Sequence, residues 1–165
     1  NVSGTIYFKV SPIAPFEYYK DPEKTKNAHK GDYFTLGDVG FLDDEQYLFL
    51  TGRNAETIIS GGVNIYPQEI DNELIKHPAV EDSCTIGVPH EQYGEEVRAV
   101  ILLKPGFEPS EALKDEILGF ALANLAKFKI PRGIDFVDDL PRSMAGKVLR
   151  NKVRAPYWEG RARAI

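Results

Sequence analysis

The sequence predicts an α+β fold: a small mixed β-sheet flanked by helices, preceded by strands from the end of a larger N-terminal domain. Three observations predict it. From residue 55 onward, strand-like apolar runs and helix-period apolar stripes follow one another in the order β-β-α-β-β-α-β-α. Residues 1–54 carry strand and turn signals but too few strands to close a core alone. Gly52-Arg53-Asn54-Ala55 reads as a junction, dividing the chain into residues 1–54 and 55–165.

In chain order, residues 4–10 are aromatic and β-branched, which predicts a strand. Residues 11–32, with three prolines and many charges, predict a loop with one short helical turn after Asp21-Pro22. Residues 41–50 read as strand, acidic turn (Asp43-Asp44-Glu45) and strand. Residues 57–65 predict two short strands pivoting on Gly61-Gly62, because glycine takes the backbone angles a tight turn needs. Pro67 suits the first turn of a helix whose apolar face is Ile70, Leu74 and Ile75 and which Pro78 ends. Residues 80–88 and 97–103 predict strands joined by an acidic loop over 90–96. Ser110 caps a helix expected to run to about Lys127, with Leu113, Ile117, Phe120, Leu122 and Leu125 as core candidates. Residues 134–137 predict a last strand, and residues 148–153 the start of a terminal helix.

Composition narrows the function classes. A net charge of −5 argues against nonspecific nucleic-acid binding. Cys84 is the only cysteine, so no intrachain disulfide forms, and a cytoplasmic location is expected. No apolar run approaches the roughly 20 residues of a membrane span, and no transmembrane segment is expected. The opening Asn1-Val2-Ser3-Gly4 lacks a signal-peptide pattern and reads as if cut from a longer chain. His29, His77 and His90 have no ligand spacing, so no metal site is expected.

Three stretches stand out: Tyr33-Phe34-Thr35-Leu36-Gly37-Asp38; residues 52–70, containing Gly52-Arg53-Asn54-Ala55 and Ser60-Gly61-Gly62-Val63-Asn64-Ile65-Tyr66-Pro67-Gln68-Glu69-Ile70; and Pro141-Arg142-Ser143-Met144-Ala145-Gly146-Lys147-Val148-Leu149-Arg150. Each alone is ordinary: a turn aspartate, a strand-end arginine, a loop lysine. Gly146-Lys147 lacks the upstream glycine of a P-loop. In this order and at these separations, they resemble the late signature motifs of the adenylate-forming superfamily. The resemblance runs over nearly the whole chain, as the C-terminal portion of an AMP-forming acyl-CoA synthetase, and residues 55–165 then correspond to its mobile C-terminal lid domain.

The resemblance implies roles. Asp38 corresponds to an aspartate whose two carboxylate oxygens accept the ribose hydroxyls of ATP. Arg53 corresponds to an arginine contacting ribose and phosphate, a task suited to a fixed fork of donors. Lys147 corresponds to the catalytic lysine of adenylation, whose ammonium reduces the repulsion between carboxylate and α-phosphate. Gly61 and Gly62 correspond to a glycine-containing face along which the thin arm of coenzyme A passes. Tyr93 and Phe128 stand where some members stack the adenine of coenzyme A, although ordinary semi-buried packing explains each ring as well. Ala55 occupies the hinge position, which in the family is often Asp or Lys, and Leu36 stands where Thr or Ser is common. ATP with Mg²⁺ is implied, held mainly by the N-terminal domain, with coenzyme A as co-substrate.

The stretch at 60–70 is most similar to acyl- and aryl-CoA ligases; peptide-synthetase domains more often read Lys-x-Arg-Gly-x-Arg-Ile there. The implied reaction is activation of a carboxylic acid, expected to be a fatty acid, as acyl-AMP and its transfer to coenzyme A. Transfer to a carrier protein and a non-catalytic lid module are the alternatives. The phosphate loop and the acid pocket are not among these residues, so the chain alone is expected to be inactive.

Overall fold

Buried apolar side chains concentrate in one part of this chain, and its architecture follows from that. The computed structural model describes residues 2–161. Its contacts divide into two units, Asn1–Ala55 and Glu56–Ile165.

In the first unit, Asp21 caps α1 (Pro22–Ala28): its carboxylate accepts the Lys24 amide at 3.0 Å, and Pro22 sits where no N–H is needed. The single strand expected over residues 4–10 is two: β1 (Gly4–Thr5) and β2 (Phe8–Lys9). They differ because the chain changes partners. β1 pairs with β5 (Asp38–Leu42), whereas β2 pairs with β4 (Tyr33–Phe34). The resulting sheets are β1-β5-β6, with β6 spanning Leu48–Arg53, and β2-β4-β3, with β3 spanning His29–Lys30. The acidic run forms the β5–β6 turn. Asp43 accepts the amides of Glu45 and Tyr47, and Gln46 takes a φ of +67°. A bulge follows Val39, where a Cβ on Gly40 would lie 2.3 Å from the Phe49 carbonyl oxygen. Among the described residues of this unit, only Ala28 and Val39 are buried apolar side chains.

The second unit contains β7 (Ile58–Ser60), β8 (Val63–Ile65), α2 (Pro67–Leu74), β9 (Val80–His90), β10 (Gly94–Leu103), α3 (Glu111–Asn124), β11 (Gly133–Val137) and α4 (Arg150–Arg154). β10 is the centre of the sheet, antiparallel to β9 and parallel to β11; β7 joins its start through Ser60 opposite Gly94. The sheet is therefore mixed, and successive residues of β10 serve opposite faces. Val97, Ala99 and Ile101 pack with Ile70 and Leu74 of α2 and Leu113, Ile117 and Ala121 of α3. Val100 packs on the other side with Cys84, Ile86 and Val88 of β9, Leu140, and Val153 of α4. Helices thus cover both faces, as the fold class requires.

Several local expectations shift. The β9–β10 turn is residues 91–93, shorter than the 90–96 loop expected. Glu95 is buried within the strand, where its carboxylate accepts the Ile59 amide at 3.1 Å. Ile75 is exposed because α2 ends at Leu74. α3 ends at Asn124, and its buried stripe is Leu113, Ile117 and Ala121 at four-residue steps; Leu122 faces solvent. α4 begins at Arg150, because Val148 instead bridges to Arg142.

Candidate functional site

In the first unit, Asp38 and Arg53 are direct cross-strand partners of β5 and β6. Arg53 Nε lies 3.2 Å from Asp38 Oδ1. The segment entering β5 turns at Gly37, whose φ of +84° favours glycine. Thr35 Oγ1 accepts the Gly37 amide at 3.0 Å, so a hydroxyl stands one residue before exposed Leu36. The Gly37 carbonyl in turn accepts the Asn54 amide at 2.9 Å. Ala55 lies in a single 3-10 turn, Asn54–Glu56.

The β7–β8 connection is a two-residue hairpin. Gly61 and Gly62 have φ of +56° and +82°, a pair of left-handed residues that matches the sheet twist and disfavours side chains. The Gly61 amide donates to the Tyr93 carbonyl at 2.9 Å, and a Cβ on Gly61 would approach the Tyr93 ring to 3.3 Å. Tyr93 stacks on His90 with centroids 4.8 Å apart, and His90 Nδ1 accepts the amides of Gln92 and Tyr93. Gly61, Tyr93 and Phe128 line one cleft of about 520 Å³ together with His90, Glu96 and Arg132. Three of the four residues assigned to coenzyme A thus share one surface; Gly62 is at the adjacent turn and not in the lining.

Lys147 is elsewhere in this unit, on a hydrogen-bonded hairpin loop. Ser143 and Lys147 exchange hydrogen bonds: the Ser143 amide donates to the Lys147 carbonyl at 2.8 Å, and the Lys147 amide donates to Ser143 Oγ at 3.2 Å. Gly146, at φ +78°, makes the turn. The side chain of Lys147 is exposed, and its ammonium has no ion-pair partner among the described residues.

Arg142 and Arg150 belong to the third stretch, but the sequence assigned no role to them or to their partners Asp82, Asp71 and Glu56. Arg142 pairs with Asp82 of β9 and donates to the Gly146 carbonyl at 3.1 Å. Arg150 Nη1 lies 2.8 Å from Asp71 Oδ2 and donates to the Thr85 carbonyl at 2.6 Å, while Nε donates to Glu56 Oε2 at 2.9 Å. Asp71 Oδ1 also accepts the Thr85 amide and the Ser83 hydroxyl. Burial pushes the Asp71 pKa up, against the opposing pull of Arg150 and the Thr85 bond. Burial works against the Arg150 charge too, but Asp71 and Glu56 outweigh it and hold the guanidinium above its ordinary range. The available signal was Asp71 itself, a carboxylate beside Ile70 on the buried stripe of α2.

Among the described residues, no group of three His, Cys, Asp or Glu could hold a metal ion, and no helix is long and apolar enough to cross a membrane.

Residues 69–147 match the AMP-binding enzyme C-terminal domain. The chain is 41% identical to a 2-succinylbenzoate–CoA ligase of Geobacillus kaustophilus over 92% of its own length and 30% of the relative's. It is 35% identical to the fatty acid–[acyl-carrier-protein] ligase ScoC of Streptomyces coeruleorubidus, over 94% of its length and 29% of the relative's. Among solved structures, ATP-bound MatB from Rhodopseudomonas palustris superposes with a TM-score of 0.82 at 38% identity, covering 94% of this chain and 30% of that one. Residues 69–147 are thereby assigned to the AMP-binding enzyme C-terminal domain, and in fold and sequence the chain is similar to the C-terminal portion of larger adenylate-forming ligases. It spans about 30% of the length of the curated relatives it matches.

Proposed function

We propose that this chain is the C-terminal part of an ATP-dependent acid–CoA ligase that forms acyl-AMP and then transfers the acyl group to coenzyme A. Residues 55–165 act as the lid, and residues 1–54 complete a larger N-terminal domain. The observation that carries this reading is Lys147, an exposed ammonium without an ion-pair partner among the described residues, held out on a braced hairpin; the motif resemblance matches it to the adenylation lysine.

In the first step, this cation offsets the repulsion between the carboxylate and the α-phosphate as pyrophosphate leaves. Asp38 and Arg53, adjacent on β5 and β6, supply the acceptor and the donor for ribose. ATP enters with Mg²⁺, bound mainly by the N-terminal domain. In the second step, the Gly61–Tyr93–Phe128 cleft offers a groove with aromatic rings and Arg132 for coenzyme A. Ala55 serves as the hinge between the steps. A cytoplasmic, reducing setting belongs to this reading and is supported by the single buried thiol of Cys84.

A carrier-protein acceptor is the second reading, favoured by the similarity to ScoC. Dependence of product formation on coenzyme A separates the two. The chain alone catalyses nothing measurable, because the phosphate loop and acid pocket lie outside it.

The test uses the whole enzyme carrying this chain, with Lys147→Ala. Acid-dependent exchange of labelled pyrophosphate into ATP falls by about 10²–10³-fold, the scale of losing one preorganised charge-stabilising group. Conversion of supplied acyl-adenylate to thioester continues. Unchanged exchange removes Lys147 from the reaction, and exchange absent with every acid in the wild type removes the ligase reading.

A further inference from the structure

The hairpin that presents Lys147 is fixed at both ends, and the two fixings are unequal. At its entry, Arg142 pairs with Asp82 of β9 through a side chain that is 39% exposed. At its exit, Arg150 is only 11% exposed and its main partner Asp71 only 5%. Exposed pairs contribute little, whereas breaking a buried pair leaves an uncompensated charge. The exit therefore sets the position of the hairpin. The Leu149 amide donates to the Pro141 carbonyl at 2.7 Å, so the base of the hairpin is closed just before Arg150.

The partners of Arg150 divide by what they hold. Asp71 and the Thr85 carbonyl belong to the core of the second unit, on α2 and β9. Glu56 belongs to none of its helices or strands that pack that core. It is the first residue of the second unit, directly after Ala55, and its side chain is 37% exposed. The Arg150 Nε–Glu56 bond of 2.9 Å therefore joins the exit of the lysine hairpin to the backbone at the junction.

The geometry points to Arg150 as a positioning residue for Lys147, which through Glu56 makes the lysine hairpin and the start of the second unit move as one body. The inference rests on the adenylation role proposed for Lys147. The reaction needs that ammonium at a fixed place relative to two anions, and small misplacements are costly in such geometries. The acyl-transfer step does not use Lys147, so loosening the link affects the two half-reactions unequally.

The test uses the whole enzyme with Glu56→Ala, Glu56→Gln and Lys147→Ala. Glu56→Ala lowers kcat for pyrophosphate exchange by about tenfold, a positioning loss, with KM for ATP and the melting temperature little changed. Thioester formation from supplied acyl-adenylate keeps its wild-type rate, and Glu56→Gln, which retains an acceptor for Arg150 Nε, recovers most of the exchange. Adding Glu56→Ala to Lys147→Ala produces no further loss, because both act on one step. Wild-type exchange in Glu56→Ala overturns the inference while a dead Lys147→Ala keeps the ligase reading intact. A parallel fall of both half-reactions with a lowered melting temperature makes the contact merely structural and also overturns it. If Lys147→Ala itself exchanges normally, the underlying reading fails and the inference falls with it.

Discussion

The two units are built from equally strand-rich sequence, yet they bury it very differently. In the second, β10 sends alternate residues to two apolar clusters, and helices close both faces. In the first, Leu48, Phe49 and Leu50 of β6 are consecutive and all exposed. Neighbours on a strand face opposite sides, so neither face of this strand is covered within the unit. A continuous apolar run is the pattern of a strand buried on both faces. The comparison shows that a complete hydrogen-bond ladder, such as β5 on β6, does not make a core. Stability comes from apolar area removed from water, and the first unit removes little of its own.

The largest effect is expected where packing is tightest. Ile117→Ala opens a cavity under β10 and lowers the stability of the second unit by about 2–5 kcal/mol. Urea unfolding followed by Trp158 fluorescence measures it, because the indole donates to the Gly87 carbonyl at 2.9 Å and reports on β9. A loss below about 1 kcal/mol contradicts the two-faced core, since truncation of a well-packed Ile costs more. Native-state hydrogen exchange extends the contrast across the chain. Amides of residues 97–102, inside β10, exchange only on global unfolding, whereas those of Phe8, Lys9 and Tyr33 in two-residue strands exchange by local opening. Equal protection in both units breaks the comparison.

A smaller effect comes from pH. Burial pushes the Cys84 thiol from 9.0 up to about 12. Burial and the hydrogen bond to Asp135 raise Tyr157 from 10.0 to about 12. Both groups hold their protons more tightly when folded. Their contribution is fully present below the unfolded values and is lost as pH rises towards 12. Stability of the second unit therefore falls from about pH 9 upward, and Cys84→Ala removes the part of that fall that begins first. A variant with an unchanged slope between pH 9 and 10 places the thiol in a wetter site than the structure does.

Much of this was legible in the sequence, for identifiable reasons. The order of elements in the second unit followed from the period of the apolar residues, and the caps at Asp21 and Ser110 from side chains suited to orphan amides. Ile75 and Leu122 misled because apolar residues near a helix end satisfy the period loosely, and only the place where the helix stops decides their exposure. The extension of β10 to Gly94 was hidden by Glu95, an acid that sequence patterning assigns to a loop but that lies buried against β7. The brace behind Lys147 was illegible for a different reason. Asp71 and Arg150 are 79 positions apart, and nothing local announces that their charges meet.

The smallest expected effect is the sharpest test of the comparison. Leu50→Ser in this chain changes stability by less than about 0.5 kcal/mol, as for other exposed positions, because the side chain is already in water. The same substitution in the whole enzyme is expected to cost about 2–3 kcal/mol, the value of burying a Leu side chain, if a larger N-terminal domain covers β6. Paired thermal or urea melts of the two proteins measure the difference between these costs. A gap of that size assigns the open face to the rest of the larger domain. Equal, near-zero costs mean that β6 stays solvent-facing in both, and the proposal that residues 1–54 complete a larger core then fails at this strand.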